Sequence, residues 1–137
     1  MEPRSASKNV ALVRTVIEML NRGDWDAVIT YAAPDFEYDL TRTLSPMAGV
    51  YRRDQMRGIV DEFLGQWETA RYEPREFIEL GDLVVTPFTV HVAGRDGIEL
   101  QTEAAWVWTF RGDELVRLCL YQDRGEALAD AETGQDG

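Results

Sequence analysis

The feature that most constrains this chain is a change of hydrophobic period near its middle. Up to Trp67, large apolar residues recur three and four apart. Val13, Val16, Ile17 and Leu20 form one set, Trp25, Val28 and Ile29 a second, and Met56, Ile59, Val60, Phe63 and Trp67 a third. Each set falls on one face of a helix. Beyond it the apolar residues alternate or run together between turn residues, as strands do. PREFIEL (74–80) reads as a strand closed by Gly81-Asp82, and LVVTPFTVHV (83–92) as a second ending at the Gly94-Arg95-Asp96-Gly97 turn. IELQTEAAWVWTF (98–110) and LVRLCLYQ (115–122) follow, joined by Arg111-Gly112-Asp113. Pro87 inside the second run implies an edge or a bulge, because it cannot donate to a ladder.

Local signals set the ends of these elements. Ser7 is the expected cap of the first helix, behind a frayed stretch of residues 1–8. Gly23 suits a left-handed helix end and Asp24 a cap for the next helix. Pro34-Asp35 stops that second helix, and FEYDL (36–40) alternates as a short strand. TRTLSPMAGVYR (41–52) reads as a loop around Pro46 and Gly49, with Asp54 capping the third helix. A short helix from Glu126 to Ala131 closes the chain before a polar tail, 132–137. The order α-α-β-α-β-β-β-β predicts an α+β fold over residues 9–131. In it a curved antiparallel or mixed sheet wraps about three N-terminal helices and leaves an internal pocket, within a single domain.

Charge and composition exclude several roles. With 25 acidic and 14 basic residues among 137, the net charge is −11. Neither nucleic acid nor an anionic membrane surface is an expected partner of such a chain. No apolar run reaches the roughly 20 residues of a membrane span, and MEPRSASKN has no apolar segment behind its charges, so a signal peptide is not expected. One cysteine, Cys119, and one histidine, His91, make neither a disulfide nor a Cys/His metal cluster. Cys119 reads as a small buried hydrophobe, and a cytoplasmic setting follows as the default.

The stretches LNRGDWDAV, FEYDL and GVYR, then GDLVV and WTFRGDELVRLCLYQDRGEAL, resemble the SnoaL-like branch of the nuclear transport factor 2-like superfamily. The resemblance covers about residues 9–131. It implies the cone-shaped α+β fold, but the fold hosts many activities. Ketosteroid isomerases of this superfamily place an Asp base where Asp39 falls. Their two oxyanion donors fall on Val16 and Trp106, so the largest catalytic contribution is missing and that reaction is not expected. Epoxide hydrolases of the limonene type use an Arg and an Asp that fall on Phe88 and Val90, and a final Asp at Asp123. With two of the three absent, that reaction is not expected either. Polyketide cyclases of the SnoaL type match best, because they need little beyond a carboxylate base in an apolar pocket. The nuclear-transport members bind partner proteins, but no feature here points to one.

Asp39 and Asp123 are therefore the candidate catalytic bases. Burial of Asp39 would raise its pKa from about 3.9 toward neutrality; pairing with Arg42 or Arg52 is the other reading. Asp123-Arg124-Gly125-Glu126 has the spacing of a capping box, which needs no catalytic role. Both readings stay open. The expected lining is Val16, Tyr38, Phe63, Trp67, Phe88, Val90, Trp106, Trp108, Leu118 and Gln122. Trp106 and Trp108 would wall it for a small apolar or aromatic molecule. His91 alternates away from Phe88 and Val90, and Glu103 away from Trp106 and Trp108. Only one of Tyr121 and Gln122 can reach the cavity. No cofactor and no metal are implied. Val107, Leu115, Cys119 and Tyr121 on one sheet face, and Trp106, Trp108, Leu118 and Leu120 on the other, call for two covers. Helices supply one, and a second subunit, in a homodimer through the sheet, would supply the other. The readings that remain are a cofactor-free isomerase, cyclase or hydrolase, a binding module with no chemistry, or a dimeric interaction domain whose cavity is filled by its own side chains.

Overall fold

The computed structural model describes residues 4–42, 49–65, 67–94 and 96–136. Pro46 of the loop read at 41–52, and Arg95 of the hairpin turn, lie outside them, as does the side chain of Phe63. The element order is α1 (Arg4–Arg22), α2 (Trp25–Thr30), β1 (Ala32–Asp39), β2 (Val50–Arg52) and a 3-10 turn (Arg53–Gln55). Then come α3 (Met56–Leu64), β3 (Thr69–Pro74), β4 (Ile78–Leu80), β5 (Leu83–Ala93), β6 (Glu99–Arg111), β7 (Glu114–Tyr121) and α4 (Arg124–Asp136). No described helix is long and apolar enough to cross a membrane.

The α1–α2 corner forms as its residues dictate. Gly23 adopts φ 75°, its N–H bonds to Leu20 O at 3.0 Å, and the Asp24 N–H reaches back to Met19 O at 3.0 Å. This pair of bonds is the Schellman ending that a left-handed residue permits. The Asp24 carboxylate then accepts from the Ala27 N–H and starts α2. Ser7 does not cap α1, which begins at Arg4 and contains Ser7 within it; no Gly or Pro in residues 4–8 stops the helix from extending. At the other terminus α4 runs to Asp136 rather than ending at Ala131. No proline follows Ala131, and Glu132 is a good helix former.

The sheet is mixed, in the order β2-β1-β7-β6-β5-β3, with β4 also on β5. Only the β1–β7 contact is parallel. The strand expected at 74–80 is two: β3 ends on Pro74 and β4 starts at Ile78. That break explains Pro87. It sits in an interior strand, paired with Ala105 on one side, and on the other its carbonyl accepts from the Arg75 N–H at 2.7 Å, opposite the gap between β3 and β4. The proline occupies the one stretch of β5 where its neighbour makes no regular ladder.

Alternation along the strands divides two cores. Val13, Val16, Ile17 and Leu20 of α1 pack on the inner face with Phe36, Phe88, Trp106, Trp108 and Leu118. The outer face carries Val85, Ala105, Val107, Cys119 and Tyr121, covered by Ala127 and Ala131 of α4. Helix α4 thus supplies the second cover, and the two apolar faces no longer call for a second subunit. Leu115 also changes sides relative to strict alternation. Thr109 pairs with Arg117 and Phe110 with Leu115, so Val116 is the extra residue of a bulge. The bulge lets Leu115 and Leu118 both face inward.

Two glycines test this account with opposite signs. Gly23→Ala places a Cβ at φ 75° and is expected to destabilise by about 1 kcal/mol. Gly58→Ala lies in α3, where an added Cβ meets no atom within 4 Å, and is expected to stabilise by up to about 1 kcal/mol. Urea denaturation of the two variants measures both.

Candidate functional site

The inner face of the sheet is not filled by the helices. A cavity of about 380 Å³ remains between them, lined on the helix side by Val16, Leu20, Val28, Ile29, Met56 and Ile59. On the sheet side it is lined by β1 (Phe36, Tyr38), β3 (Tyr72), β5 (Phe88, Val90), β6 (Ala104, Trp106, Trp108) and β7 (Leu115, Leu118, Leu120). Of the lining residues, Thr102, Glu103 and Gln122 are exposed. They mark the mouth, where the ends of β6 and β7 meet.

Aromatic rings give the cavity its rigid wall. Phe88 stacks on Trp106 with centroids 3.9 Å apart and planes at 19°. Tyr72 lies 5.4 Å from Trp106 and 6.0 Å from Phe88, and Trp108 meets Trp106 edge-on at 5.4 Å. Such contacts add to the area these rings bury. Tyr72 is held from behind: the Asn21 side chain donates to the Tyr72 carbonyl at 2.9 Å and accepts from the Tyr72 N–H at 2.7 Å. Asn21, in the last turn of α1, takes the place of a strand partner along the free edge of β3.

The polar groups of the wall are few. Burial pushes the Tyr38 phenol up to about 12, only partly offset by the Trp106 indole N–H beside it. Tyr72 is pushed up as well, by burial first and by Tyr38 second. Both are therefore neutral hydroxyls at physiological pH. The indole nitrogens of Trp106 and Trp108 and the hydroxyl of Thr86 are buried and close no hydrogen bond among the described residues. Thr86 shares the inward side of β5 with Val84 and Phe88.

Eight of the ten expected lining residues border the cavity: Val16, Tyr38, Phe88, Val90, Trp106, Trp108, Leu118 and Gln122. Trp67 does not; its ring lies against Gly94 in the β5–β6 hairpin. Tyr121 and Gln122 both border the cavity; the Tyr121 side chain packs in the outer core and donates to Asp130 at 2.7 Å, and the exposed Gln122 amide donates to the Arg42 carbonyl at 3.2 Å. His91 bonds to Glu73 at 2.9 Å, on the side away from Phe88 and Val90. Tyr72 was not anticipated. Its signal is the Ala70–Tyr72 alternation, obscured by Glu68, Arg71, Glu73 and Arg75 around it.

Neither proposed base borders the cavity. Asp123 is exposed; its carboxylate accepts from the Glu126 N–H at 2.8 Å and caps α4. Asp39 is buried, but it alternates with Tyr38 and Leu40 and so faces outward, where it accepts from Arg117 at 2.5 Å and from the Thr41 amide and hydroxyl at 2.8 and 2.6 Å. Burial alone would raise its pKa, as expected from sequence. The Thr41 bonds and the Arg117 guanidinium outweigh it and hold the carboxyl below its ordinary value. Neither Arg42 nor Arg52 is its partner; Arg42 pairs with Asp130 at 3.1 Å.

Because the fold lowers the Asp39 pKa, its stabilisation is complete above the unfolded value near 3.9 and lost as pH falls through the lower folded value. Asp39→Asn is expected to cost about 1–2 kcal/mol at pH 7, the smaller end applying because Arg117 is partly exposed. The gap between wild type and variant should persist down to about pH 4 and narrow only as pH falls further, as measured by urea denaturation at a series of pH values from neutral into the acid range.

A SnoaL-like domain profile matches residues 13–118. Among solved structures, an NTF2-like protein of unknown function from Burkholderia pseudomallei K96243 shares 25% identity at a TM-score of 0.76, over 88% of this chain and 95% of that one. TerC, co-crystallised with polyporic acid, shares 20% at 0.74, over 90% and 96%. A candidate polyketide cyclase from Xanthomonas campestris pv. campestris shares 20% at 0.69, over 92% and 98%. No protein of curated function matches significantly. With the cavity inside a sheet-and-helix cone of this topology and the profile spanning most of the sequence, the chain belongs to the SnoaL-like domain family.

Proposed function

We propose that this protein binds a small, flat, largely apolar molecule in the cavity, and that binding does not draw on a carboxylate base. The observation that carries the reading is the wall itself. A space of about 380 Å³ is within the usual range for small-molecule sites. It is faced by a stacked Phe88–Trp106 pair with Tyr72 and Trp108 against it, and flat rings of this kind favour a flat guest.

The reading as a proton-abstracting enzyme loses support. Asp39 is occupied by Arg117 and Thr41, and Asp123 by the α4 cap. Glu103 alone among the described lining residues carries a carboxylate; it is exposed and alternates with the inward Ala104. The reading as a self-filled interaction domain loses support from the volume. TerC, a structure of the same fold obtained with polyporic acid, is consistent with a cavity that takes guests.

Quenching of tryptophan fluorescence by a panel of tricyclic and tetracyclic aromatics tests the proposal. Flat members are expected to bind with Kd in the micromolar range, about −8 kcal/mol, and branched aliphatics of equal size at least tenfold more weakly. Ala104→Trp, which fills the cavity, should abolish binding, whereas Asp123→Asn, which keeps a capping side chain, should leave it unchanged. If no flat member binds below about 1 mM, or if the filled variant binds as well as wild type, the proposal fails.

A further inference from the structure

Resting on that reading, we infer that the cavity selects guests carrying a carbonyl oxygen, an aromatic ketone or quinone rather than a hydrocarbon, through the paired hydroxyls of Tyr38 and Tyr72. The two side chains come from strands far apart in the sheet order, β1 next to one end and β3 at the other, and both border the cavity. They are near enough for Tyr38 to act electrostatically on Tyr72. Among the described residues the Tyr38 hydroxyl has the Trp106 indole N–H beside it as its one hydrogen-bonding neighbour, and the Tyr72 hydroxyl closes no hydrogen bond. Two donors thus open into a space that otherwise offers almost only carbon.

The chemistry of these groups sets the class of guest. A phenol held neutral by burial offers an O–H to an acceptor and has little tendency to give up its proton. The Trp106 N–H beside Tyr38 can donate to one lone pair of that hydroxyl, which leaves its hydrogen for the guest. No lysine, arginine or histidine borders the cavity among the described residues, so an anionic guest would enter without a counter-charge and pay for desolvation. A neutral oxygen acceptor conjugated to a flat ring system meets every condition at once. It stacks on Phe88–Trp106 while its oxygen accepts from the tyrosines. A donor hydroxyl left facing only carbon penalises the hydrocarbon of the same shape.

Fluorene and 9-fluorenone share one tricyclic frame and differ by a carbonyl, so the comparison separates stacking from oxygen recognition. Calorimetric titration of the full chain is expected to give fluorenone at least tenfold tighter than fluorene. Tyr38→Phe and Tyr72→Phe should each weaken fluorenone between about three- and tenfold and leave fluorene within about twofold. The infrared carbonyl stretch of bound fluorenone should move to lower wavenumber in wild type and return in the double variant, a readout that a merely structural role of the tyrosines would not move. Equal affinity for the two guests, or an unshifted carbonyl band, would overturn the inference while leaving the cavity a binding site. Failure of both guests to bind would overturn the inference together with the reading beneath it.

Discussion

The pleat of the sheet is the constraint on which the rest depends. Because successive side chains point to opposite faces, one strand such as β6 can put Trp106 and Trp108 into one core and Ala105 and Val107 into the other. The inner core faces three helices that touch it only in part, and the outer core faces one small-residue helix. Ala127 and Ala131 let α4 sit close enough to close the outer layer. On the inside the large rings stand off the helices and support one another instead. Close packing is thus reached on one side of the sheet and withheld on the other, and the hollow is the result.

The same alternation separates charge from cavity. Asp39 and Tyr38 are neighbours in sequence, yet one is an ionised group held by Arg117 and the other a neutral phenol in an apolar wall. A carboxylate on the inward side would need a partner there, and none is supplied. The acidic surplus of the chain is spread over its outside, where water and surface arginines satisfy it. The site is therefore a place of weak, neutral donors, suited to recognising shape and oxygen position more than charge.

Much of this was legible in the residues. The α1 stripe, the Gly23-Asp24 corner and the aromatic alternation of β6 are local patterns, and each formed as read; the third stripe was read too far, since α3 ends at Leu64 and leaves Trp67 outside it. What escaped were features that depend on a neighbour. The β3–β4 break shows only opposite Pro87, and the bulge at Val116 only when Thr109 and Phe110 are paired across it. Asn21 looks like a helix end until the backbone of Tyr72 is beside it. The environment of Asp39 was misjudged for a similar reason. Burial was foreseen, but whether burial or bonding prevails depends on Arg117, 78 positions away, and on which face the strand presents.

The clamp of Asn21 on Tyr72 has a consequence for how copies of this protein meet. β3 ends the sheet order, and an open strand margin is a template for stacking one chain on the next. With its N–H and carbonyl at Tyr72 already taken by an amide from α1, that margin has no continuous row of free groups to offer. Growth of the sheet from molecule to molecule along this side is blocked at its middle by a single side chain.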